Sequence, residues 1–419
     1  MAYTFQRSSL SARRVSGACA VLSSAALSGA LSLSACTNDD DIVAAGPGSS
    51  GSGGGGGMGG SGLGGSGTDA GVSGSGGASD ASTSGPSGTL TVLSTAPELR
   101  APTTTAVRGN NLWVVNGQLS GLFGGPAPTL PFNVVSLPLT GGAIDSTVVE
   151  LPGDNFYPEG IAAAADGTLY VGSVNLGTVV KVPADSTTAM PFVAAGVAQR
   201  GVIGLTVDDN RDLLWFCDSK PGVAGATGAI VGVSLDDGIE VVRHAMPNPV
   251  SPTVDAGAPL DAGADSGLDA GAGTAPPTAG GVATFCNDLI VDSTGNIFAT
   301  DSSGRIFRVP SAGVMTPNSA RVWLSGAALG PPNGLDIVGN WLVIANGGLV
   351  AVDPNSNDPA ATLKTISLTL DGAPASLCGP DGLQTVPGST TDLVVVENGS
   401  CNPPSGDGDR VVRIKLDLD

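Results

Sequence analysis

The chain reads as an all-β protein, a six-bladed β-propeller of four-stranded antiparallel blades behind a disordered tether. Three observations predict it. A short corner motif recurs, in which a polar residue and a Gly or Asp lead into an apolar strand: Glu159-Gly160-Ile161, Asn287-Asp288-Leu289, Asn333-Gly334-Leu335 and Asp381-Gly382-Leu383, with a degenerate copy at Ile203-Gly204-Leu205. The second residues of these corners, at 160, 204, 288, 334 and 382, lie 44, 84, 46 and 48 residues apart. Removing roughly 35 residues of low-complexity sequence from the long interval restores a spacing of about 49, within the 40–50 residues of a propeller blade. Finally, the strands are short, rich in Val, Ile and Leu, and closed by turns such as Asp166-Gly167, Asp209-Asn210, Thr294-Gly295-Asn296 and Gly339-Asn340.

The elements follow in chain order. Residues 1–35 have the form of an export signal, with Arg7, Arg13 and Arg14 ahead of a stretch of Ala, Leu, Val and Ser. The signal ends Leu33-Ser34-Ala35-Cys36, which resembles a bacterial lipobox and makes Cys36 the expected lipidation site. A secretory signal with an incidental Cys is the alternative. Arg13-Arg14 also resembles a twin-arginine signal. The apolar stretch is too interrupted by Ser and Gly to span a membrane, so membrane attachment is expected through a lipid anchor alone. Residues 36–89 form the tether; from 46 onward they are almost entirely Gly, Ser, Ala, Thr and Asp and cannot bury a core. Gly-rich runs there match nucleotide-binding patterns only trivially, because no strand precedes them and no helix follows.

The propeller is expected over 90–419, with blades starting near 101, 158, 202, 286, 332 and 380. The first is Thr103-Thr104-Thr105-Ala106-Val107, then Leu112-Trp113-Val114-Val115, then Asn133-Val134-Val135-Ser136-Leu137. The absence of a long 3.6-residue periodicity predicts few helices. Trp113, Trp215 and Trp341 recur in or near second strands, as blade-packing residues. A tract at about 246–280, with Asp-Ala-Gly units, is expected to be a disordered acidic insertion between blades 3 and 4. Thr89–Leu93 is placed beside Val411–Leu416, closing the ring through the chain ends and removing sheet edges. A β-sandwich is the runner-up fold, disfavoured by the regular corner.

Composition narrows the function. The formal charge is −20. Loss of the signal's three Arg leaves 14 cations against 37 acids, or −23. Nucleic acid and anionic membrane surfaces are therefore excluded as partners, and a monomer is expected. Cys19 lies in the signal, leaving Cys217, Cys286, Cys378 and Cys401. An even number in an exported chain favours disulfides, and the lack of CxxC or Cys/His spacing argues against zinc. Three pairings are open. If each corner starts an inner strand at the top face, Cys378 and Cys401 share that face of the last blade, and Cys217 and Cys286 share it across adjacent blades. These two pairs are the favoured ones.

In a ring, the first residue of each corner points at the axis. Glu159, Asn287, Asn333 and Asp381 would then converge, with Ile203 and Thr103 at the two remaining corners lining the mouth. Four oxygen donors, two of them anionic, suit one divalent cation, Ca²⁺ first, with Mg²⁺ or Mn²⁺ as alternatives. Such an ion would polarise a carbonyl or acidify a water, and Asp381 is the candidate general base. Lactone or ester hydrolysis fits this chemistry. The ion could equally tie the blades together without turnover. The single His, His244, is read as structural or merely exposed, so Ser-His-Asp chemistry has no support.

At this point the chain resembles a known family. Pro158-Glu159-Gly160, the run from Asn287 to Asn296, Pro332-Asn333-Gly334-Leu335 and Pro380-Asp381-Gly382-Leu383 are similar to the gluconolactonase/regucalcin-like propellers, relatives of the paraoxonases and strictosidine-synthase-like proteins. That family sets Glu, a skipped blade, then Asn, Asn and Asp around a divalent metal, the order found here over roughly 150–419. The resemblance implies that Glu159, Asn287, Asn333 and Asp381 bind metal and that Asp381 is the acid/base residue. Two departures matter. Sugar-lactonase members carry an Arg two residues before the first Asn, where this chain has Phe285, a third residue of the expected mouth. Paraoxonases use a His dyad, which a chain with one His lacks. The leading expectation is an exported bacterial lipoprotein, facing periplasm or cell surface, that hydrolyses a small lactone or ester. The alternatives are a non-catalytic ligand- or protein-binding propeller of the NHL-like kind, with structural metal or none, and an envelope assembly factor.

Overall fold

Bulges at the corners organise the molecule. The computed structural model describes residues 85–197, 201–219, 227–248, 283–399 and 409–419. In five blades the inner strand makes one pair with its neighbour and then slips register across the corner. Pro102 faces Asn116 and Thr105 faces Val114. Pro158 faces Ser173 and Ile161 faces Val171. The same break follows Val202, Cys286 and Pro380. Two residues on the inner strand therefore oppose one on its partner, the definition of a β-bulge. The first bulged residue leaves the ladder, and this is why the motif exists.

The corner residues also close the ring. A Cβ on Gly160 would lie under 3.0 Å from the carbonyl oxygen of Ile203 in the next blade, and one on Gly204 would clash with Asn287 O. Likewise Gly334 abuts Asp381 O, and Gly382 abuts Thr103 O. Thr103 Oγ1 donates to Glu159 O at 2.7 Å, and Leu335 N–H donates to Asp288 Oδ2 at 3.3 Å. These six contacts form a closed circle. In four blades the second corner residue is Gly because the neighbouring backbone occupies the space a side chain would need.

Six sheets follow, five of four strands and one of six. Their inner strands are Pro102–Arg108, Pro158–Ala163, Val202–Asp208, Cys286–Val291, Leu335–Val338 and Pro380–Thr385. The last blade takes its outer strand from the N-terminal side. Ser87–Ser94 pairs antiparallel with Asp409–Asp417, matching Leu90 with Ile414 and Val92 with Val412. The expected closure holds, over a longer strand than Thr89–Leu93. A hairpin of Ser367–Leu370 and Ala373–Ala375 extends this blade further, its first strand running parallel to Ser87–Thr89. Among the described residues the only α-helix is the single turn Pro359–Thr362, and no helix is long and apolar enough to cross a membrane.

The core lies between blades. Alternate strand residues such as Val343, Leu393, Val395 and Ile414 form one shared layer, and Trp215, Phe307, Ile297 and Cys217 form another. Cys217 ends the second strand of blade 3 and is bonded to Cys286, which opens the inner strand of blade 4. The disulfide thus staples adjacent blades at the corner face, as expected. Cys378 is also disulfide-bonded; its expected partner Cys401, the 249–282 part of the expected insertion, Cys36 and most of the tether lie outside the described residues.

A second repeated device holds the corners in place. A polar side chain ending the second strand reaches back to the backbone just before the corner. Asn116 Oδ1 accepts from Arg100 N–H at 2.9 Å, and Asp301 Oδ1 from Phe285 N–H at 2.9 Å. Asp218 accepts from Gly201 N–H at 3.4 Å. Glu397 accepts from Cys378 N–H, and Ser173 donates to Phe156 O. Three of these acids hold an Arg: Arg243 on Asp218 and Arg305 on Asp301, both at 2.6 Å, and Arg410 on Glu397. Asp301 is fully buried, and Arg305 also donates to Thr284 Oγ1 at 2.9 Å. Removing one partner strands a buried charge. Asp301→Ala should therefore lower stability by about 3–5 kcal/mol, read as a shifted urea midpoint.

Candidate metal centre

Glu159, Asn287 and Asp381 sit at the bulges of their blades, so their positions follow from the register slip, whereas Asn333 precedes the inner strand of blade 5 and donates its N–H to Ala345 O at 2.8 Å. Glu159 is 5 % exposed, and its Oε2 is buried with no hydrogen-bond partner. Asp381 is enclosed and accepts from Asn398 Nδ2 at 2.6 Å. The Asn333 side chain also hydrogen-bonds to Asp381, which joins blades 5 and 6. Asn287 donates through Nδ2 to Ser302 Oγ at 2.9 Å, and Ser302 in turn donates to Pro332 O at 3.3 Å. This chain fixes the Asn287 amide through its nitrogen and leaves its oxygen available.

The electrostatics are those of crowded carboxylates without compensation. Burial, then Asp381 and Asp288, hold the Glu159 carboxyl well above the usual range. Asp381 is pushed up to about 7 by burial, against the lowering effect of its bonds from Asn398 and Asn333. Desolvation and like charge both favour the neutral acid.

Two further acids join this field. Asp288 occupies the second corner position, where four other blades have Gly. It accepts from its neighbour Leu289 N–H at 2.8 Å and from Leu335 N–H across the blade junction. Burial, with Asp336 and Asp381 nearby, lifts it to about 7 against those two bonds. Asp336 accepts from Ile337 N–H at 2.6 Å and Thr385 N–H at 2.5 Å, and burial raises it to about 6. Asp336 is thus a fully bonded staple between blades 5 and 6. Sequence reasoning treated Asp288 only as a variant of the corner glycine and missed Asn398, Ser302 and Asp336. The departure from Gly at 288 was the visible signal.

The other expected site residues fall as follows. Thr103 is buried, with its hydroxyl committed to the Glu159 carbonyl. Ile203 is buried, and half-buried Phe285 packs against the same cluster. His244 lies elsewhere. It is fully buried, stacked on Trp215 with ring centroids 6.0 Å apart. Its Nδ1 accepts from Ser319 N–H at 3.2 Å, so Nε2 carries the proton and donates to Val314 O at 2.9 Å. Burial lowers its pKa, keeping it neutral. It is a structural residue.

The donors fit a hard cation on the chemistry present: two carboxamides and two carboxylates, of which Glu159 carries a buried Oε2 without a hydrogen-bond partner among the described residues. Among the described residues no set of three or more His, Cys, Asp or Glu forms a ready-made metal cluster.

The chain's similarities to known proteins are short in sequence and distant in structure. The strictosidine synthase-like N-terminal family model matches residues 145–182, around the Glu159 corner. No curated protein sequence matches. Among solved structures, virginiamycin B lyase from Staphylococcus aureus is 11 % identical, covering 79 % of this chain and 100 % of its own, with a TM-score of 0.48. Regucalcin from Agrobacterium tumefaciens, described as a calcium-binding protein, is 14 % identical, covering 78 % and 95 %, with a TM-score of 0.47. A chain of a nidogen/laminin complex is 16 % identical, covering 63 % and 78 %, at 0.41. The six sheets and their closed ring make this chain a six-bladed β-propeller, and its second blade is similar to the strictosidine synthase-like N-terminal model.

Proposed function

We propose that this propeller is a divalent-cation-dependent hydrolase of a small lactone or ester, with Ca²⁺ as the first candidate ion. The observation that carries the reading is the unpartnered, buried Glu159 Oε2 held in the same field as Asp381. An uncompensated buried carboxylate oxygen is costly, and a cation there removes the cost. Glu159, Asn287, Asn333 and Asp381 would hold the ion. When bound it supplies polarisation of a carbonyl oxygen and a more acidic water. Asn398 and Asn333 orient the Asp381 carboxylate, the group that would accept the proton. Export, acylation at Cys36 and a position facing periplasm or cell surface belong to the same proposal and are supported by the sequence of residues 1–36.

The test is metal content and thermal stability of the purified chain, with and without Ca²⁺, beside Glu159→Gln/Asp381→Asn. Wild type should retain about one ion and gain roughly 3 kcal/mol at a hundredfold excess of Ca²⁺ over Kd. The double variant should retain none and gain nothing. Lactone and aryl-ester turnover should then require both carboxylates. Wild type that binds no divalent ion would sink the reading and leave a non-catalytic binding propeller.

A further inference from the structure

A cavity of about 350 Å³ lies between blades 5 and 6, on the face opposite the corners. Two turns and the last strand build it. The inner strands of these blades run away from the corners, and the chain then reverses at Gly339-Asn340 and near Thr390-Thr391. Gly339 is left-handed at φ 60°, and a Cβ on it would lie 3.0 Å from Thr390 O, so the two turns touch. Leu416 N–H donates to Thr391 O at 2.7 Å, which brings Asp417 and Asp419 to the same cavity. Its apolar side is the end of the blade 5–6 core, against which half-buried Trp341 packs. Lys364 Nζ lies over the indole, 4.4 Å from the ring centroid, and helps to hold it in place.

The polar groups around this cavity are left uncommitted. Equivalent turns in other blades consume their own side chains: Asp166 accepts from Thr168, and Asp292 accepts from Thr294 and Asn296. Among the described residues, the side chains of Asn340, Thr390, Thr391, Asp417 and Asp419 have no hydrogen-bond or ion-pair partner. Carboxylates only accept, a carboxamide donates and accepts, and hydroxyls do either. This set sorts ligand classes. An anion would meet two acids. An alkyl chain would desolvate polar groups and give them nothing in return. An ammonium would suit the acids but would meet Lys364 beside the indole. A sugar ring satisfies every element: its hydroxyls donate to the carboxylates and accept from the carboxamide, and its C–H surface lies against the indole. We propose that this cavity binds a neutral sugar ring, at a site separate from the corners and independent of the hydrolase reading.

Saturation-transfer NMR on the full chain in chelator tests this. Methyl glucoside, methyl galactoside and N-acetylglucosamine are the neutral probes, with glucuronate and choline as charged ones. At least one neutral sugar should bind, and both charged probes should bind about tenfold more weakly or not at all. Losing hydrogen bonds to a charged acceptor costs about tenfold or more in affinity. Asp417→Ala/Asp419→Ala should therefore weaken the bound sugar by that factor, and Asn340→Ala several-fold. These three side chains are exposed, so melting temperatures should stay at the wild-type value. Glu159→Gln/Asp381→Asn should bind the same sugar with unchanged affinity. No binding by any of the three neutral probes, equal binding of glucuronate or choline, or indifference to the cavity substitutions overturns the inference. Sugar binding lost in Glu159→Gln/Asp381→Asn would put the sugar at the corners and overturn it as well. Ca²⁺ retention by wild type without any sugar binding would overturn this inference and leave the hydrolase reading intact.

Discussion

Gly160→Ala and Gly334→Ala should each destabilise the propeller by about 3–5 kcal/mol, and Gly348→Ala should leave it within about 0.5 kcal/mol of wild type. The reason lies at the blade junctions. An added Cβ at 160 or 334 meets the carbonyl oxygen of the next corner, Ile203 O or Asp381 O, at less than 3.0 Å. Backbone cannot swing aside as a flexible side chain can, and moving one junction strains a ring whose six contacts close on themselves. Gly334 also donates its N–H to Asp381 O at 3.1 Å, so displacing it disturbs the Asp381 corner. Gly348 has only Asn346 Oδ1 nearby, at 3.9 Å, and no left-handed backbone. Chemical unfolding of the three variants checks this. A mild effect at 160 and 334 would mean that the junctions yield, and that the corner glycines reflect turn preference rather than crowding.

That crowding also explains what could be read from the sequence. A corner with no room for its second side chain writes Gly into the chain, and the eye finds it at 160, 204, 334 and 382. The closing strand was legible because Thr89–Leu93 and Val411–Leu416 alternate in the manner of strands and lie at the chain ends. Cys217–Cys286 followed from knowing which end of each strand faces the corners. The latches were not legible. Asn116, Ser173, Asp218, Asp301 and Glu397 do the same job with different lengths, charges and donor roles, so they share geometry and no letter. The Ser367–Ala375 hairpin escaped for another reason, since its parallel partner is the N-terminal strand. The phase of the corners singles out Glu159, Asn287, Asn333 and Asp381 as the candidates. Asp288 was seen but discounted, because Asp and Gly are interchangeable in most turns and differ only where a carboxylate enters a closed ring.

Without divalent cation, the protein should lose stability as pH rises from about 4 to 7, and Glu159→Gln/Asp381→Asn should be more stable than wild type at pH 8. The sign follows from linkage. Burial pushes Asp381 and Asp288 up to about 7 in the folded chain, against an ordinary value of 3.8, and Glu159 is raised as well. Between those limits the folded state binds more protons than the unfolded state, so stability falls as pH increases. Well below pH 4 both states are protonated and the penalty is absent; above about 7 it is fully developed. His244 acts in the opposite sense. Its folded pKa lies below 6.5, so its contribution is lost as pH falls through that range, and the wild-type profile contains both slopes. The double variant isolates the carboxylates, because it keeps His244 and removes two of the acids. Melting temperatures in chelator at pH 5 and pH 8 should therefore show a steeper decline for wild type than for the variant. Added Ca²⁺ should erase the difference at pH 8 by stabilising wild type alone. Wild type and variant with parallel profiles would mean that these carboxylates are not electrostatically frustrated, and the strongest argument for a cation at this centre would go with them. The expected outcome carries a further consequence: residues that weaken the empty fold would be retained for what they bind.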